Sequence, residues 1–153
     1  MQKLQEEIVD NTKSWRPIKL KAVDDQDLQV FSQCLYEGIV VSSEINYDHT
    51  AKQFAMAIER FTWEHAGEKS HLLMQVLSIL VVNNVEEIDV KKIFNEYKIK
   101  SILSISNVDN NILIMLNEGE VITLKVKKCS CLLEDIGKPF LPATIPAYSK
   151  NEL

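Results

Sequence analysis

The chain has 153 residues, 46% hydrophobic and 25% charged, with a net charge of −5. That suits one soluble globular domain large enough to hold its own core. It argues against a nucleic-acid face, where basic residues supply most of the affinity. The longest apolar-rich stretch, His71 to Val82, is broken by Gln75 and Ser78 and is too short to span a bilayer.

Residues 1–16 read as a polar N-terminal extension, 17–140 as a single domain and 141–153 as an extended, proline-bearing tail. The acidic start of the chain has no signal-peptide pattern. Three cysteines, Cys34, Cys129 and Cys131, are an odd set that fits reduced thiols better than a disulfide framework. Both features point to the cytoplasm.

In chain order, Ile18 to Val23 is a short strand with Ile18, Leu20 and Ala22 on one face. Asp24 or Asp25 can cap the helix that follows. Its stripe is Leu28, Phe31 and Leu35, widened by Val30 and Cys34, and Gly38 sits at the position for a left-handed C-terminal residue. Ile39 to Tyr47 is the next strand, 48–52 a hairpin loop, and Gln53 to Glu64 the returning strand.

That returning strand alternates strictly through Phe54, Met56 and Ile58, and the parity then breaks. Phe61 and Trp63 lie on odd positions beyond the polar pair Glu59-Arg60, which predicts a bulge or strand end there. Leu72 to Asn84 is a third long strand, which Asn83-Asn84 ends or bends. Val90, Ile93, Phe94 and Tyr97 have helical spacing behind Asp89. Three short strands follow, over 100–106, 111–117 and 120–127, the last two joined at Asn117-Glu118-Gly119. Cys129, Leu132, Leu133 and Ile136 then repeat at helical spacing before Gly137, which predicts a closing helix.

Several of these segments carry a resemblance: the run Leu20 to Leu28, the helix end at Leu35, the R-F-x-W-E pattern over Arg60–Glu64, the pair Ile88-Asp89, and the last hairpin and closing segment to Gly137. Together they resemble the uncharacterised bacterial family called domain of unknown function twenty-nine forty-eight. The resemblance covers most of the chain after Arg16. It implies a single bacterial domain and supplies no catalytic residue, because the family has no assigned activity.

The residues themselves offer few sites. Glu64, His65, Glu68 and His71 are of metal-ligand type, but their spacing fits no recognised motif and a solvated loop is the plainer explanation. Cys129 and Cys131 form C-x-C rather than the redox C-x-x-C. No phosphate loop, dinucleotide fingerprint or nucleophile elbow occurs, and no metal or cofactor is expected. The ligand-binding candidates are Arg60, Trp63 and Glu64. A guanidinium beside an aromatic wall can hold a planar anion; alternatively, Arg60 pairs with Glu59 or Glu64 and stacks on Trp63 for structural reasons.

The predicted fold is α+β: a bent antiparallel sheet or partly open barrel of about seven strands, with a helix after the first strand and a C-terminal closing helix, near a pleckstrin-homology-like layout. The predicted function is a non-enzymatic binding or interaction module, with an unknown protein partner or self-association, no strong nucleic-acid signal and no membrane segment. The alternative is a small enzyme or small-molecule-binding protein with an anion site near Arg60.

Overall fold

A computed structural model describes residues 15–66, 73–90 and 99–142. Among them are nine strands and one helix: β1 Lys19–Ala22, α1 Asp25–Leu35, β2 Ile39–Asp48, β3 Gln53–Phe61, β4 Gln75–Val82, β5 Val85–Asp89, β6 Ile102–Val108, β7 Asn111–Leu116, β8 Val121–Val126 and β9 Cys131–Asp135. They form two antiparallel sheets, in the orders β1-β9-β4-β3-β2 and β5-β8-β7-β6. The α+β class holds. The architecture is two facing sheets around one core cluster, with no closed barrel, rather than a single bent sheet.

Local chemistry explains most boundaries. Asp24 caps α1 by accepting from the Asp27 amide at 2.8 Å, satisfying a donor that has no partner inside the helix. Leu28, Phe31 and Leu35 turn inward, while Val30 stays exposed, so the buried stripe is narrower than expected. α1 packs on β6, β1 and β3. Asp48 accepts from the amides of Thr50 and Ala51 and fixes the β2–β3 hairpin. Asp109 and Asn110 both take positive φ in the β6–β7 turn, as two-residue hairpin turns require.

Gly38 is not the left-handed residue after α1. Glu37 holds φ +60 instead. A Cβ at Gly38 would lie 2.9 Å from both Ile58 Cγ2 and the Leu35 carbonyl oxygen, so the glycine is there to let backbone approach side chain. Next to it, Val40 donates to the Lys100 carbonyl and Ile102 donates to the Gly38 carbonyl. The start of β2 thereby stitches the two sheets together.

One expectation is overturned and two sets of alternatives are resolved. The segment Cys129–Ile136 is no closing helix. Residues 131–135 form β9, paired with β1 on one side and β4 on the other. Cys131, Leu133 and Asp135 point inward in strict alternation while Leu132 and Glu134 are half-exposed. A short run with apolar neighbours at Leu132 and Leu133 satisfies both periods, and pairing decides between them. The helix on which the pleckstrin-homology-like layout rested is therefore absent from this segment.

Second, of the expected bulge or strand end near Glu59-Arg60, the strand end applies and β3 carries no bulge. It pairs with β4 one-to-one from Phe54↔Val82 to Phe61↔Gln75 and ends at Phe61. The irregularity lies in its other neighbour, β2, between Val40 and Ile45. Third, the long strand, expected to end or bend at Asn83-Asn84, stops at Val82. Asn84 takes φ +57, and the chain crosses into the other sheet as β5. The helical spacing Val90 to Tyr97 falls largely on 91–98, outside the described residues.

Candidate functional site

The inner face of the first sheet is apolar until its end. Phe54, Met56 and Ile58 of β3 face inward, and the next residue with the same parity is Arg60. The parity break in the sequence is therefore the signature of a charged side chain at a core position. On β4 the same row runs Val82, Leu80, Ser78, and on β9 it runs Cys131, Leu133, Asp135. The register sets Ser78 opposite Asp135, and the sheet end becomes a buried polar corner.

Arg60 is fully buried. Its Nε and Nη2 donate side-on to Asp135, at 2.8 Å to each oxygen. Its Nη1 and Nη2 donate end-on to Glu64, at 2.9 and 2.7 Å. The second Nη1 proton goes to the Phe61 carbonyl at 3.0 Å. A guanidinium has five N–H donors, and all five are used. Two bidentate carboxylates on one guanidinium are among the strongest pairings a protein side chain makes.

The two carboxylates differ. Asp135 has a fully buried side chain and also accepts from the Ser78 hydroxyl at 2.7 Å and the Ile18 amide at 2.9 Å. Burial alone would raise its carboxyl pKa. The Arg60 guanidinium, the Ile18 amide and the Ser78 hydroxyl outweigh that and hold it below the ordinary carboxylate value. Glu64 comes from a single 3-10 turn, Trp63–His65, and its side chain is 31% exposed. Beside this corner is Cys34 of α1, its thiol pushed up chiefly by burial, with Arg60 opposing and Glu64 and Asp135 adding to the rise.

Trp63 packs among the aromatic rings at this corner. Its ring lies 5.7 Å from Phe61 and 6.2 Å from Tyr36, tilted to both, and its Nε1 donates to the Tyr36 carbonyl at 2.8 Å. Ser32, Gln33, Tyr36 and Trp63 line an open apolar depression of about 350 Å³. Ser32 faces it with a hydroxyl already engaged, donating to the Ile105 carbonyl and accepting from the Ile105 amide.

The structure thus brings Arg60 and Glu64 into direct contact and puts Trp63 on the same turn. Asp135 and Ser78 were missed, because Asp135 was read on a helix. The signal was present: Asp135 continues the 131, 133 alternation. Tyr36 was missed because it follows the helix stripe. Of the metal-type set, Glu64 is committed to Arg60, and Glu68 and His71 lie outside the described residues. Among the described residues no group of three or more His, Cys, Asp or Glu side chains is placed to hold a metal, and no helix is long and apolar enough to cross a membrane.

Residues 18–148 match the family described as protein of unknown function, DUF2948. The chain belongs to that family. The match spans every described strand, and with them Arg60, Glu64, Ser78 and Asp135. No curated protein and no solved structure matches the chain.

Proposed function

We propose that this family member is a non-enzymatic binding module, and that the depression between Tyr36 and Trp63 receives an apolar or aromatic side chain of a protein partner. The observation that carries this reading is a contrast at one corner of the molecule. Arg60 has spent all five donors inside the fold, whereas the neighbouring Tyr36 and Trp63 rings wall an open apolar depression. Its volume of about 350 Å³ is at the small end for a specific pocket, enough for one anchoring group. Tryptophan and tyrosine are the side chains that most often dominate protein contacts. The exposed Gln33 supplies a polar rim, as such contacts require. Three free thiols among the described residues support a reducing, cytoplasmic setting.

The test is an NMR titration with N-acetyl-tryptophanamide as a stand-in for the partner's side chain. One side chain alone binds at around millimolar strength. Shift changes confined to Ser32, Gln33, Tyr36 and the Trp63 indole are expected, and Trp63→Ala removes them. Changes scattered over the surface, or none, would sink the reading.

The second reading is a small enzyme or small-molecule-binding protein with an anion site near Arg60. What favours it is the position of Glu64: the only side chain on the end-on edge of Arg60 among the described residues, and partly exposed.

A further inference from the structure

We propose that Glu64 is a built-in, exchangeable ligand of Arg60, and that the end-on edge of this guanidinium is a binding site for a carboxylate carried on an aromatic group. This rests on the second reading above and gives it a ligand class.

The two carboxylates on Arg60 have opposite characters. Asp135 is locked from four directions, by Nε and Nη2 of Arg60, the Ser78 hydroxyl and the Ile18 amide, with no side-chain exposure. It holds the guanidinium plane fixed, and the Phe61 carbonyl fixes Nη1 from a third side. What remains is a two-pronged donor edge of set orientation, the geometry that matches a carboxylate. Glu64 fills that edge from a three-residue turn outside either sheet. Among the described residues its side chain accepts two hydrogen bonds, both from Arg60.

Exchange is level in its pairing terms, and the aromatic contacts of the incoming acid offset its loss of translational freedom. An incoming carboxylate replaces two charge-assisted hydrogen bonds with two of the same kind and leaves the charge of the cluster unchanged. Asp135 stays in place, so the buried guanidinium never loses both partners, which would be costly. Glu64 returns to water from a position it only partly left. Trp63 precedes Glu64 on the turn, and its ring adjoins Phe61 and Tyr36. A carboxylate at the fork therefore brings its aromatic remainder toward that wall, where stacking adds to the ion pair. Such a ligand is either a free aromatic acid or the C-terminal carboxylate of a peptide ending in an aromatic residue; both present the same groups.

The experiment titrates phenylacetate, the neutral phenylacetamide, N-acetyl-alanyl-phenylalanine and inorganic phosphate into wild type and Glu64→Ala, following the Arg60 Nε–H signal. Both proteins are expected to bind phenylacetate at Arg60. The variant should bind at least about tenfold more tightly, because the closed, Glu64-filled state no longer competes. Phenylacetamide should leave the signal unmoved. The tighter of the two acids identifies whether the source is a free acid or a peptide end. Binding to the variant alone would mean a filled hole and would overturn the proposal, as would equal affinities for the two proteins. If phosphate moves Arg60 in both proteins equally while phenylacetate does not, the anion site stands and the exchange falls. If no probe moves Arg60 in either, both fall. Should Glu64→Ala not fold, Glu64→Gln applies the same comparison with a smaller expected gain.

Discussion

The inner faces of the two sheets solve the same packing problem with different chemistry. In the second sheet Ile102, Ile105, Ile112, Ile114, Leu116, Ile122, Leu124 and Val126 fill the interior with hydrocarbon alone. In the first sheet the last two rows mix buried Ile58 and Val76 with Arg60, Asp135 and Ser78, which complete the layer. An apolar layer tolerates rearrangement as long as volume is kept. A buried ion pair tolerates almost none, because each charge is affordable only beside its partner. The first sheet thus has one acceptable alignment of β3 against β4 and β9.

The largest effect should come from breaking that polar corner on one side. Asp135→Ala leaves the Nε edge of Arg60 buried without its carboxylate and should cost about 3–5 kcal/mol in urea denaturation. The double variant Arg60→Leu with Asp135→Leu removes both charges and should cost less than the single change. A double variant as unstable as Asp135→Ala would mean that shape, not charge pairing, holds the corner.

Next comes the identity of β9. Leu133 is fully buried, and Leu133→Ala should cost about 2–5 kcal/mol. Leu132 faces the opposite side of the strand and is half-exposed, so Leu132→Ala should cost about 1 kcal/mol or less. Equal losses would restore the helical reading of this segment.

Acid should separate the two sheets as well. An unfolded aspartate titrates near pH 3.9, and Asp135 in the fold titrates below its ordinary value. Its contribution to stability is therefore complete above about pH 4 and is lost as the pH falls through the lower, native value. Stability of the wild type should fall along this limb, and Asp135→Asn should flatten it. Ile114→Ala in the second sheet should lower the whole curve without changing its slope. The smallest effect belongs to neither sheet: Asp24→Ala should cost about 1 kcal/mol by uncapping α1, measured in the same melts.

The same contrast explains what the sequence discloses. β8 alternates through Ile122, Leu124 and Val126, β7 is a short apolar run and β6 is rich in isoleucine, with turn residues between them, and all three are legible. So is α1, from Asp24 to its stripe. β5 is not, because Val85, Glu86, Glu87, Ile88 and Asp89 carry too few apolar residues to show a period. β9 is not, because adjacent leucines obscure its alternation. The polar corner is hidden for a deeper reason. A charged residue at an inward position looks, in one dimension, like a break in the strand. Only the pairing of β3, β4 and β9 shows that Arg60 has an acid waiting opposite. The candidates Arg60 and Glu64 were reachable because they are four residues apart. Asp135 is far along the chain, and nothing local announces it.

The placement of β9 between β1 and β4 has a consequence for how the molecule is made. During synthesis β1, α1 and the hairpin of β2, β3 and β4 emerge long before Asp135. Until the ribosome has passed that residue, β1 has no strand beside it and the Nε edge of Arg60 has no acid. The nascent first sheet therefore has an open slot and a guanidinium paired on its Glu64 edge alone, which disfavours premature closure over apolar residues. When residues 131–135 arrive, one strand insertion fills the slot, gives the Nε edge of Arg60 its acid and ties the N-terminal strand to the rest of the sheet.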